Sequence, residues 1–176
     1  IEPSHGDRSA MAYSSTGQNV DGRSLAEARA AGLNAVNITL GHVAGSAEPF
    51  EATVADIAGW DAFIRARPTA LRKVFKASDI DDARAAGQIG VIYGFQNTEM
   101  LGGKIDRIAL FANLGVRVIQ LTYNGRNAVG CGATVADDTG LSAFGAEVVE
   151  RLQAEPVLVD LSHSSERTCL DALLLA

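Results

Sequence analysis

The fold class this sequence predicts is α/β, a partial (β/α)8 barrel, and three observations carry it. Apolar runs of strand length alternate with helical segments along the whole chain, the pattern of βα units on a parallel sheet. The runs are nearly continuous in Val, Ile and Leu, as strands buried on both faces must be. Four of them end on polar residues: Leu40-Gly41-His42, Phe95-Gln96-Asn97, Thr122-Tyr123-Asn124 and Asp160-Leu161-Ser162-His163. Parallel α/β folds hold their ligands at that end of the strands. No G-x-G-x-x-G or G-x-x-x-x-G-K-[ST] follows the first strand, which removes the main support for a nucleotide-binding doubly wound sheet. A flavodoxin-like open sheet stands second. A complete barrel takes about 250 residues. With 176 residues and four or five strands, residues 1–176 are expected to form one partial-barrel domain. Both ends are expected to be cut, because the chain starts at Ile1 and stops at Ala176 inside a helical pattern.

The elements follow in order. Ser24 and Glu27 have capping-box spacing, and Gly32 ends the helix they open. An alternating strand is expected over 33–40. Phe50, Val54, Ile57, Asp61 and Ile64 fall near helical spacing within 48–67, with Trp60 as core and Pro68 closing the segment. A short strand is expected at 72–75, then a helix capped by Ser78 and ended at Gly87, then a strand over 89–95. A helix over 105–114 stops at Gly115 and yields to a strand over 116–122. The glycine-rich loop 123–140 has the length usually kept for function. A helix over 142–154, a strand over 157–161 and a helix from Glu166 onward complete the pattern. Such a sheet leaves edges and apolar surface uncovered, so poor solubility or homo-oligomer formation is expected.

Bulk composition narrows the function classes. The net charge is −6 and the 15 Lys and Arg are scattered, which argues against nucleic acid or an anionic membrane as the main partner. No apolar run approaches the roughly 20 residues of a bilayer span. Cys131 and Cys169 are too few for a disulfide framework, and a reducing, cytoplasmic setting fits them.

His163 is the strongest candidate for chemistry. A neutral imidazole at a strand end suits zinc, and zinc lowers the pKa of a bound water to about 7. The competing reading is a histidine that only hydrogen-bonds near a helix start, since 162–165 is also a capping region. Gln96 and Asn97 could orient a substrate or serve as turn residues, and Glu99 could join them or be a solvated loop carboxylate. Tyr123, Asn124, Arg126 and Asn127 open the long loop. A phenol, two amides and a guanidinium can bind a carboxylate-bearing substrate, with Arg126 able to do so bidentately. Asn124-Gly125 is equally a turn signal. Gly130, Gly132 and Gly140 suit a loop folded tightly on itself. His42 reads as a solvated loop residue, and the His5/Asp7 H-x-D pair is discounted because no strand precedes it.

Taken together, Gly115-Val116-Arg117, Leu121-Thr122-Tyr123-Asn124, Gly140-Leu141-Ser142-Ala143-Phe144-Gly145 and Val159-Asp160-Leu161-Ser162-His163 resemble the renal, or membrane, dipeptidase family. The matching stretch runs from about Ile89 to Ala176, and the blocks keep the family's order and approximate spacing. The resemblance implies a zinc metallopeptidase on a (β/α)8 barrel that cleaves dipeptides. It places His163 at a metal-binding histidine and Gln96 where the family usually has a glutamate bridging two zinc ions. Tyr123 falls where the family usually has a substrate-binding histidine. A branch of the family looks like Gly94-Phe95-Gln96-Asn97-Thr98 with Leu121-Thr122-Tyr123-Asn124. Because a neutral amide cannot compensate two adjacent dications, one zinc ion is expected rather than two.

The resulting expectation is zinc-dependent hydrolysis of a dipeptide amide in the parent protein. His163 and Gln96 would lie at the metal, with Tyr123, Asn124 and Arg126 at the small peptide substrate. The alternative is a non-catalytic barrel remnant that only binds a small ligand or a partner.

Overall fold

A computed structural model describes residues 20–41, 43 and 48–175. His5, Asp7 and His42 lie outside the described residues. Among the described residues five parallel strands form one sheet: β1 (Ala35–Thr39), β2 (Leu71–Lys73), β3 (Ile89–Phe95), β4 (Val116–Gln120) and β5 (Leu158–Asp160). Six α-helices among the described residues accompany them: α1 (Gly22–Ala30), α2 (Pro49–Arg65), α3 (Ser78–Ala85), α4 (Arg107–Asn113), α5 (Ala143–Gln153) and α6 (Glu166–Leu174). Every pairing is parallel, as the βα rhythm requires, and the fold class is the α/β, barrel-type one expected from the sequence.

The sheet path is β1-β3-β4-β5. Alternate peptides of a strand point to opposite edges, and β3 uses both. Gly90 N–H donates to Asn34 and Gly94 O accepts from Leu40 on the β1 edge. Ile89 N–H donates to Ala70 and Val91 O accepts from Val74 N–H on the opposite edge, which holds β2. β4 pairs farther along β3, from Tyr93 to Phe95, with an irregularity between Tyr93 and Gly94. The short β2 and the start of β4 thus engage successive parts of β3.

Side chains alternate accordingly. Ile89, Val91, Tyr93 and Phe95 are buried with the helix side chains, and Phe95 meets Phe111 of α4 edge-on at 4.9 Å between ring centres. On the opposite face Gly94 makes room for Asn37, whose Oδ1 would lie 2.4 Å from a Cβ at that position. On α2 the buried stripe is Thr53, Asp56, Ile57, Trp60 and Ile64. The 3.6-residue period is as read, but the stripe is rotated, so that Val54 is exposed and polar Thr53 and Asp56 are buried. Both find backbone partners: Thr53 Oγ1 donates to Pro49 O, and Asp56 Oδ2 accepts from Gly41 N–H at 2.8 Å. Leu158, Leu173 and Leu174 are exposed.

One expected cap is replaced by a neighbouring carboxylate and another is not made. Asp21, not Ser24, is the N-cap of α1 and accepts from Ser24 N–H at 2.7 Å, while Glu27 pairs with Arg23. Asp79, in the first turn of α3, accepts from the N–H groups of Phe75 and Lys76 ahead of the helix, whose N-cap is Ala77, not Ser78, with no side-chain cap bond. A carboxylate is the stronger acceptor for the unpaired N–H groups of a helix start. Ser142 and Ser165 cap α5 and α6 as their positions imply. Both cysteines are free thiols.

Candidate functional site

The carboxyl ends of β3, β4 and β5 lie side by side, and buried amide and hydroxyl groups join them. Gln120, the last residue of β4, is buried and donates from Nε2 to Gln96 O at 2.8 Å and to Thr122 O at 2.6 Å. That single carboxamide ties the residue following β3 to the chain leaving β4. Thr98 Oγ1 donates to Leu121 O, and Asn127 Nδ2 reaches both the Thr98 hydroxyl and Leu121 O. The Asn127 Oδ1 accepts from Val129 and Gly130 N–H, turning the loop back on itself.

Asn97 is buried, donates to Val43 O at 2.8 Å and accepts from Glu99 N–H. It thereby links the end of β3 to the chain beyond β1. Glu99 is exposed.

The loop 123–140 packs on the start of α6. Cys131 O accepts from Ser165 N–H and from Thr168 Oγ1, and Cys131 N–H lies 3.1 Å from the same hydroxyl oxygen. Asp138 accepts from Ser165 Oγ at 2.7 Å and from the N–H groups of Gly140 and Arg167. The Ser165 hydroxyl, followed by those N–H groups, holds the Asp138 carboxyl below the usual carboxylate range. Burial pushes the Cys169 thiol up, away from thiolate chemistry.

His163 is exposed just beyond β5 and has a positive φ of 61°. Such a backbone is uncommon for a residue with a side chain and persists where neighbours impose it. Here Ala133 N–H donates to His163 O at 2.8 Å, Ser164 forms a bridge with Gly132, and its hydroxyl lies 3.0 Å from Thr122 Oγ1. The imidazole stacks on Tyr123, with ring centres 4.5 Å apart and planes 28° from parallel. Its Nδ1 lies 2.8 Å from Asn124 Oδ1.

Of the residues singled out from sequence, His163, Tyr123 and Asn124 therefore come together as one unit. Gln96 is half-buried at the neighbouring strand end, tied in through its carbonyl. Arg126 is directed into its own loop, with Nη1 donating to Thr139 Oγ1 and Nη2 to Asp137 O. Among the described residues no three His, Cys, Asp or Glu side chains cluster as a metal site. These residues fit one ligand of a metal site rather than a whole one. Gln120, Thr168 and Asp138 escaped the sequence reading. A Gln closing an apolar strand was the available signal for the first; Thr168 and Asp138 gave none, because their partners are distant in sequence.

A parallel sheet whose polar residues collect at its carboxyl end, with a histidine raised there on a constrained backbone, belongs to the barrel-type α/β proteins that carry their sites at that end. The family model described as membrane dipeptidase, peptidase family M19, matches residues 11–176. The chain belongs to that family. It is 36% identical over 101 residues to an uncharacterised dipeptidase of Schizosaccharomyces pombe, a match covering 53% of this chain and 24% of the relative. It is 31% identical over 100 residues to a Claviceps purpurea dipeptidase, covering 56% and 24%. Among solved structures, an amidohydrolase from Pseudomonas aeruginosa aligns with a TM-score of 0.82 at 34% identity, over 89% of this chain and 47% of that one. A metallopeptidase from Rhodobacter sphaeroides, liganded with a phosphinate mimic of the dipeptide L-Ala-D-Ala, has the same fold with a TM-score of 0.67 at 22% identity, over 73% and 38%. The chain thus spans about a quarter of its curated relatives and about half of the Pseudomonas structure. Among the described residues no helix is long and apolar enough to cross a membrane.

Proposed function

We propose that this chain carries one wall of a zinc-dependent dipeptidase site that hydrolyses the amide bond of a small peptide. The observation that carries the reading is His163, presented beyond β5 on a backbone held at positive φ, in a chain of the membrane dipeptidase family. His163 would donate a ring nitrogen to one zinc ion. Gln96, at the end of β3 with β4 between it and β5, would stand toward the same site as a neutral amide, which favours a single ion. Zinc, when bound, would polarise the scissile carbonyl and make water more acidic. Tyr123 and Asn124 would shape the substrate side of the pocket. The hydrogen bonds of Arg126 within its own loop favour a loop-fastening role over capture of the substrate carboxylate. The exposed Leu158, Leu173 and Leu174 favour self-association.

Zinc content by elemental analysis and hydrolysis of a simple dipeptide test this reading together. A catalytic zinc normally has three protein ligands, and the described residues supply one confident candidate. The 176-residue chain is therefore expected to bind zinc weakly, to lose that binding in His163→Ala, and to show no turnover. In a chain of the family's full length carrying this segment, His163→Ala is expected to abolish or sharply reduce turnover. Full zinc content and full turnover in that variant would refute the assignment.

A further inference from the structure

Gln120 carries an acceptor that the described residues leave open. Its Nε2 lies between two carbonyl oxygens, Gln96 O at 2.8 Å and Thr122 O at 2.6 Å. Only the NH2 group of a carboxamide can stand between two acceptors, so the amide orientation is settled and both hydrogens are committed. Gln120 is 2% exposed, and among the described residues its Oε1 accepts no hydrogen bond. That oxygen is nevertheless not sealed away from solvent. Gln120 pairs with Asp160 across β4 and β5, and such partners in a parallel sheet share a face. The alternate residues Ile119 and Val159 pack into the helix-covered core, so Gln120 and Asp160 stand on the face turned away from the helices. Asp160 is half-buried, and its Oδ1 accepts from Ser162 N–H at 2.8 Å. Among the described residues its other oxygen takes no hydrogen bond or ion pair. Val118 and Leu158 are partners on the same face one pleat earlier, and Leu158 is exposed.

We propose that Gln120 and Asp160 form an acceptor position for the ammonium group of a small amine, the free N-terminus of a short peptide. This position deepens the peptide-hydrolysis reading and rests on it for the identity of the amine. An ammonium carries only donors, the complement of a carboxamide oxygen beside a carboxylate. The fixed amide gives direction, and the carboxylate adds a charge-assisted bond stronger than a neutral one. Val118 and Leu158, one pleat down the strands, suit a short aliphatic body attached to that ammonium. An N-acylated terminus has no charge and would bring a carbonyl oxygen toward two acceptors.

Proton–nitrogen NMR of the 176-residue protein at pH 7 can follow the Gln120 side-chain amide and the Ser162 N–H. Alanyl-alanine, N-acetyl-alanyl-alanine and ethylammonium are titrated in turn. Alanyl-alanine is expected to shift both signals. Its N-acetyl form is expected to bind about 10–100-fold more weakly, the worth of a hydrogen bond to a charged group. Asp160→Asn keeps an oxygen for Ser162 N–H and removes the charge. It is expected to weaken alanyl-alanine by the same factor and to leave the N-acetyl form unchanged. An unchanged Asn127 side-chain amide, which donates to Leu121 O, shows that the chain beyond β4 is intact in the variant. Equal binding of the two peptides to wild type overturns the inference, whatever the variant does. So does unchanged affinity in Asp160→Asn, or a Gln120 amide that no amine shifts. If ethylammonium shifts it in an Asp160-dependent way while alanyl-alanine does not, the acceptor position stands and the peptide reading is what fails.

Discussion

The two halves of the sheet share one packed cluster and differ in the hydrogen bonds added to it. From α1 to β3 the strands rest on hydrophobic packing, with Ile57, Trp60, Ile64, Leu71, Ile89 and Val91 buried in one cluster. Its polar contacts also secure packed elements: Lys73 donates to Asp61 at 2.7 Å and to Leu114 O, and Tyr93 hydroxyl donates to the same Asp61 oxygen. Beyond β4 the same cluster continues through Val129, Val148, Val149 and Leu152, and hydrogen bonds of Gln120, Asn127, Cys131, Asp138 and Thr168 are added to it. Packing is non-directional and tolerates small shifts, whereas hydrogen bonds fix an orientation. A foundation can be built by the first means. The His163 ring, 2.8 Å from Asn124 Oδ1, meets the second.

That contrast can be broken by substitutions that separate stability from site geometry. Phe111→Ala is expected to have the largest effect. Phe111 is fully buried against Phe95 and Phe50, and its loss should cost about 3–5 kcal/mol in urea denaturation. The imidazole signals of His163 should remain where they are in the fraction still folded. If they move as far as they do in a loop variant, the two halves are not separate supports.

Gly132→Ala should do the reverse. A Cβ at this position would meet Tyr123 O at 2.0 Å and Asn124 O at 2.4 Å, both backbone atoms that can yield only by moving the loop. The expected cost is about 1–3 kcal/mol, smaller than that of Phe111→Ala, with a large displacement of the His163 imidazole signals. An unperturbed imidazole would mean that the loop backbone does not set the ring.

The smallest effect belongs to Asp138. Its folded-state carboxyl is held below the ordinary value, so the stability it contributes is fully present above the unfolded value, about 3.9. That contribution is lost as pH falls through the depressed folded value. The amide resonances of Gly140 and Arg167, which donate to this carboxylate, should therefore titrate together with a midpoint below the ordinary Asp range. Asp138→Asn should remove the titration. A midpoint at or above the ordinary value would show that the capping bonds do not bear on the loop.

How legible this molecule was depended on the distance between partners. The strands over 33–40, 89–95, 116–122 and 157–161 all appear, 89–95 in full and the others trimmed, because alternation and apolar runs are properties of neighbouring residues. Cap positions were less secure: Ser24 was plausible, but Asp21 stood close by and is the better acceptor, and the N-cap of α3 is Ala77 in place of Ser78. The short β2 sits one residue earlier than its apolar residues implied, at Leu71–Lys73, where Ala70 and Val74 bond to β3. At the site, strand-end position alone singled out His163, Gln96, Tyr123 and Asn124.

The amino-acid sequence by itself determined the alternation of helix and strand, the parallel sheet, and the collection of polar residues at one end of it. Those follow from periodicity and from the rule that consecutive βα units wind the same way. Tertiary structure alone decided what each polar residue does there. It turned Arg126 into its own loop and brought Asn124 to a histidine 39 residues away. It also placed Thr168 under Cys131 from 37 residues away. A hydrogen bond is specified to tenths of an ångström and by direction, and no local pattern of residue types carries that information across such a separation.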